Sequence, residues 1–195
     1  MVDEKKFEGG NAGALGFIGF GLTTTLLSLV NAGAFPSDAM MLGMIIFLGG
    51  FAEIVAACML WRMGDTFAMT AFGAFGFFWL SLAAITILPA IGIGPAAGAN
   101  ATGSYLVLWG IFTAGMFLGT LKAPRAVTLL IGMLALLFLI LGAGALAGNA
   151  DITKFGGYWG IINGLVGIYI AVALVVNEAN GKEMLPLFVP KPKKA

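Results

Sequence analysis

The sequence predicts an all-α membrane protein of six transmembrane helices, with both chain ends on one side. Three observations carry this expectation. Apolar residues make up 60% of the 195-residue chain and charged residues only 10%, against roughly 25% charged in an ordinary globular domain. A chain so poor in charge cannot cover a core with a solvated surface, so its outer face must meet lipid. From Gly9 to Asn177 the only charged residues are Asp38, Glu53, Arg62, Asp65, Lys122, Arg125, Asp151 and Lys154. With the turn residues beside them they mark off apolar blocks at 13–33, 39–61, 68–90, 104–121, 126–148 and 155–177. Each suits one crossing, since a hydrocarbon core of ~30 Å takes about 20 helical residues. The runs are continuous and lack the alternation of a membrane-barrel strand, so helices are preferred.

Each block has its own boundary signals. The first follows a lead-in of mixed charge and is long and rich in Gly and Thr, unlike a cleaved signal peptide. Ala34-Phe35-Pro36-Ser37-Asp38 is a turn in which Ser37 or Asp38 can cap the second helix. Arg62-Met63-Gly64-Asp65-Thr66 and Lys122-Ala123-Pro124-Arg125 are tight polar connectors. Pro89 to Ser104 reads as a longer, uncharged loop, and Asn149 to Lys154 closes the fifth span. Asn100-Ala101-Thr102 fits a glycosylation sequon, for which chance is the better account. The domain plan is a tail over 1–10, a six-helix transmembrane domain over 11–178 and a second tail over 179–195.

Orientation follows from the basic residues. Lys5, Lys6, Arg62, Lys122, Arg125, Lys182, Lys191, Lys193 and Lys194 fall on the side of the chain ends, and Lys154 alone falls opposite. The positive-inside rule then places both tails in the cytoplasm and the protein in the inner or plasma membrane. The net charge of +1 leaves no basic stripe for nucleic acid. With no histidine and one cysteine, Cys58, neither a disulfide, a metal site nor a cofactor is expected. There is no P-loop and no catalytic triad, so an enzyme is not expected either.

Thirty glycines are about twice the average usage of ~7%. Gly156, Gly160 and Gly164 recur at four-residue spacing, as do Gly115 and Gly119. Such spacing fits close helix packing within or between subunits. The alternative is that some glycines, such as Gly167, line a pore; spacing leaves both open.

Glu53 is the most informative residue. It lies roughly 12 Å from the inner end of the second block, near the bilayer midplane. A charge is expensive there, so such a residue faces a pathway or a partner. It is read either as a proton-coupling group or as a carboxyl bonded to a neighbouring helix through Thr23, Thr24 or Asn163. Thr23, Asn31, Thr113 and Asn163 are candidates for a polar pore lining, although membrane hydroxyls most often bond back to their own backbone. Phe20, Phe75 and Leu134 stand out by depth. They lie about 11–12 Å from the inner ends of the first, third and fifth spans, which run in one direction, and so share one level with Glu53.

Several strings, in order over about 11–188, resemble the acetate uptake transporter family. They include Gly19-Phe20-Gly21-Leu22-Thr23-Thr24, Gly49-Gly50-Phe51-Ala52, Gly64-Asp65-Thr66-Phe67, Leu108-Trp109-Gly110-Ile111-Phe112-Thr113, Gly119-Thr120-Leu121-Lys122, Ala147-Gly148-Asn149-Ala150, and Asn177-Glu178 with Leu185-Pro186. The resemblance implies a homohexamer in the lipid bilayer, each subunit having its own pore narrowed by an apolar constriction at Phe20, Phe75 and Leu134. It also implies that Gly167 occupies a position that influences substrate size, with room around it. Phe75 stands where the family has Tyr, and Glu53 where it usually has Gln. The family's N-terminal motif survives at Asn11, Leu15 and Gly16, but both its prolines are replaced, by Ala12 and Ala14.

The function expected is passage of acetate and related small monocarboxylates, with succinate as a further substrate, through channel or proton symport. The alternatives are a passive channel for neutral solutes such as ammonia or undissociated acid, and a membrane subunit that serves assembly alone.

Overall fold

A computed structural model describes residues 10–190, and within them six helices are long and apolar enough to cross a membrane. They are α1 (Ala12–Asn31), α2 (Ala39–Arg62), α3 (Thr66–Ala90), α4 (Ala99–Gly119), α5 (Arg125–Ala147) and α6 (Ala150–Asn180). No strand occurs among the described residues. The predicted all-α class and the six spans are what the structure has.

Side chains close most helix starts. The Asn11 carbonyl oxygen accepts from the Gly13 amide at 3.1 Å, Asp38 from Met41 at 3.2 Å and Asp65 from Ala68 at 2.8 Å. Asn149 accepts from Asp151 at 2.9 Å. Each cap satisfies an amide that the first helical turn leaves without an acceptor. Asp38, not Ser37, performs this at α2.

Boundaries differ from expectation in three places. The loop after α3 spans only the stretch from Ile91 to Gly98, and Asn100-Ala101-Thr102 forms the first turn of α4. Pro89 lies inside the last turn of α3. Helix α6 starts at Ala150, five residues before its apolar block, because Asn149 caps it and Asp151 suits the positive end of the helix dipole. Helix α2 contains a π-helical stretch, Met44–Ala52. There each turn takes in an extra residue, a form found mostly as short inserts at functional sites.

The region after α6 is not a free tail. Through Pro190 it folds back on the helices, while 1–9 and 191–195 lie outside the described residues. The Asn177 side chain accepts from the Met184 and Leu185 amides at 2.7 and 2.9 Å and donates to the Leu185 carbonyl at 2.8 Å. The Tyr169 hydroxyl donates to the Pro186 carbonyl at 2.8 Å. The Arg125 and Ala126 amides donate to the carbonyls of Phe188 and Leu187 at 3.1 and 3.3 Å. The returning chain thus caps α5, whose own N-cap, Pro124, offers no side-chain acceptor.

Helices α1 and α6 run antiparallel in the closest contact of the fold. A Cβ added to Gly21 would lie 2.5 Å from the Ile168 nitrogen and 2.9 Å from the Gly164 carbonyl, so only glycine permits this approach. The glycine spacing noted in α6 is therefore a packing face. The Trp159 indole also donates to the Met133 carbonyl at 2.9 Å, pinning α6 to α5. These pairings hold α1 and α5 on either side of α6.

Candidate functional site

Two cavities enter the interior from opposite ends. The far one, about 500 Å³, opens where α1, α3 and α5 end; the near one, about 250 Å³, opens on the side of the chain ends. Polar residues at the far wall are Thr24, Ser28, Asn31, Thr102, Tyr105 and Thr153. At the near wall they are Asn11, Glu53 and Asp65. No Lys or Arg lines either.

Three residues line both cavities: Phe20 from α1, Phe75 from α3 and Leu134 from α5. Each is only 4% exposed. Their side chains form the partition between the two spaces. Aromatic neighbours hold Phe75 in place: its ring stacks on Phe138 at 6.3 Å and meets Phe112 edge-on at 5.9 Å. Phe20 rests on the bare backbone of Gly167, where an added Cβ would come within 2.8 Å of its ring. Gly167 thus stands behind the ring rather than in the wall of either cavity, and its surroundings are tight, not roomy.

Glu53 lies beside this partition, wholly buried at the end of the π-helical stretch. One carboxyl oxygen accepts from the Trp79 indole at 3.0 Å, and the other has no hydrogen-bond partner. The partner is therefore Trp79, not Thr23, Thr24 or Asn163. Glu53 lines the near cavity while Trp79 lines the far one, so this single bond links the two walls. Spacing gave no sign of Trp79; its one signal was an indole donor inside a membrane helix.

The four polar lining candidates separate. Asn31 lines the far cavity. Thr23 and Thr113 are fully buried outside both walls and donate to backbone carbonyls, of Met44 at 3.4 Å and Trp109 at 2.7 Å. Asn163 is also fully buried outside both walls, and neither amide atom has a partner. In their place Ser28, Thr102, Tyr105 and Thr153 face the far space. The N-terminal motif divides as well: Asn11 caps α1 and lines the near cavity, Gly16 abuts the Phe72 ring, and Leu15 faces outward.

The chain that builds these two cavities and their apolar waist matches one protein family over residues 2–190. The chain belongs to the GPR1/FUN34/yaaH family. Among its relatives is the succinate-acetate/proton symporter SatP of Escherichia coli K12, 45% identical over 177 residues, 91% of this chain and 94% of that one. The ammonia transport outward protein 2 of Saccharomyces cerevisiae is 34% identical over 186 residues, covering 91% of this chain and 66% of its own. A solved structure of the bacterial acetate channel SatP superposes with a TM-score of 0.91 at 45% identity, covering 92% of this chain and 99% of that one. The GPR1/FUN34/yaaH assignment thus spans the whole helical domain, and the protein is a multi-pass membrane protein.

Proposed function

We propose that the protein carries acetate and related small monocarboxylates across the inner or plasma membrane, with both chain ends in the cytoplasm. It works as a homohexamer of separately conducting subunits and performs no catalysis. The observation that carries this reading is the pair of cavities that share only Phe20, Phe75 and Leu134. An apolar ring passes a small solute only when it widens or wets, so it discriminates by size and by the cost of dehydration. The likeness to SatP, named for succinate, acetate and protons, supports the substrate class.

The walls supply hydrogen bonds and no positive charge, and the near one adds two carboxyl groups, Glu53 and Asp65. With no cation to replace its water, a free acetate ion is far costlier to bring to the apolar ring than its protonated form. Asp65 is committed to its cap on Ala68, while Glu53 keeps one oxygen unpaired next to the ring. Glu53 is therefore the group placed to exchange a proton with a passing acid.

Uptake of labelled acetate into proteoliposomes, with and without an imposed proton gradient, tests both parts. The expected result is accumulation that collapses with the gradient in the wild type. In Glu53→Gln, which keeps the acceptor for Trp79 but carries no proton, acetate only equilibrates. Gradient-driven accumulation unchanged in that variant would remove Glu53 from the mechanism. No uptake above empty liposomes would remove the acetate reading itself.

A further inference from the structure

Beyond the ring lies chemistry that the pathway so far leaves unused. Thr24 and Asn163 are 3% and 0% exposed. The Thr24 hydroxyl and both atoms of the Asn163 amide lack hydrogen-bond partners. Buried polar groups are nearly always paired, and an unpaired one is costly. Nearby hydroxyls show the ordinary solution: Thr25 donates to the Gly21 carbonyl at 2.7 Å, one turn back in its own helix.

Helix register brings the two residues together. Along the antiparallel α1–α6 contact, Gly160 abuts Ser28, Gly164 abuts Thr25, and Gly167 abuts Phe20. Asn163 lies one turn from Gly160 and one turn from Gly167. Its level on α6 is therefore that of Thr24, which lies one turn from both Ser28 and Phe20 on α1. Thr24 lines the far cavity just past the ring.

Resting on the transport reading above, we propose that Thr24 and Asn163 form the carboxylate-binding site of the pathway, behind Phe20 and one helical turn beyond the ring. The hydroxyl and the amide N–H each donate to a carboxylate oxygen. The Asn163 carbonyl accepts from the accompanying water or from the hydroxyl of the neutral acid. A solute stripped of water at the ring regains hydrogen bonds as it leaves it, when Phe20 turns aside and uncovers the amide. With no cation in the wall, the site holds its anion by neutral donors alone and so releases it readily.

The test measures labelled acetate uptake into proteoliposomes for wild type, N163L and T24V, together with each protein's unfolding midpoint in detergent. Leucine keeps the branched outline of asparagine and removes an unpaired buried amide, which offsets its larger bulk, so N163L is expected to unfold near the wild-type midpoint. Its KM for acetate is expected to rise about tenfold or more, as for a lost hydrogen bond to a charged group. T24V, of nearly equal shape, moves KM the same way. An unchanged KM in both variants overturns the site and leaves acetate transport standing. If N163L does not fold, T24V decides alone: a raised KM supports the site and an unchanged one overturns it. No uptake by the wild type overturns the transport reading, and the site with it.

Discussion

At the scale of single residues, depth was legible and direction was not. Counting from the inner helix ends put Phe20, Phe75 and Leu134 at one level, and they are the three residues both cavities share. Counting cannot tell which way a side chain turns on a helix that is apolar all round. Thr23 and Thr113 therefore looked like lining groups, yet they bond to backbone carbonyls away from both spaces. The room that the family resemblance implied around Gly167 is taken up by the Phe20 ring. That contact makes a definite prediction. In Gly167→Ala the new Cβ would lie 2.8 Å from the ring, closer than such atoms approach, so the ring must move. Glycine's other neighbour, the Gly21 backbone at 3.1 Å, leaves α6 no closer seat, and the ring swings toward Phe75 and Leu134. The narrower waist excludes the larger solute first. Succinate uptake should fall several-fold more than acetate uptake, at a stability cost of about 1–3 kcal/mol. A succinate-to-acetate ratio that rises instead would mean that α6 backs away and the waist opens.

Helices as elements were largely readable, because long apolar runs between charges have only one stable form in lipid. Two features had no local signal. The π-helical stretch of α2 contains ordinary membrane residues, Met44–Ala52, and lies against α3, where Gly49 abuts the Trp79 ring and Gly50 the Leu80 side chain. The fold-back after α6 depends on Asn177 meeting residues eight positions on, which polarity alone presents as a tail. That fold-back supplies the first acceptors of α5, and α5 carries Val127, Leu130 and Leu134 into the near cavity. In Asn177→Ala three hydrogen bonds disappear together. A loss of about 1–3 kcal/mol is expected, seen as a midpoint several degrees lower in detergent. The loosened end of α5 should also show faster amide exchange at Arg125 and Ala126. Unaltered exchange there would mean that the α5 cap stands without the Asn177 clasp.

The whole molecule is governed by how few charges it has and where they fall. Its outward faces carry large apolar side chains, with Phe47, Leu108 and Leu118 each about two-thirds exposed or more, at 70%, 66% and 67%. Helix α4 is the least covered of the six, with 17% of its span buried. Lipid or a neighbouring subunit must meet these faces, since water would not. Six crossings return the chain to the side on which it began, and this agrees with Asn11, Asp65 and Pro124 sharing one cavity mouth. Basic residues then decide which compartment that is: Arg62, Lys122, Arg125 and Lys182 lie at this end, and Lys154 lies at the other. The proposed orientation puts this cluster in the cytoplasm, as the positive-inside rule favours. Because Cys58 is the single cysteine, a Cys58→Ser background provides a clean reporter. In that background Lys154→Cys should react with a membrane-impermeant maleimide on intact cells, and Lys182→Cys should react only after lysis. The reverse pattern would invert the protein and place the Glu53 cavity outside.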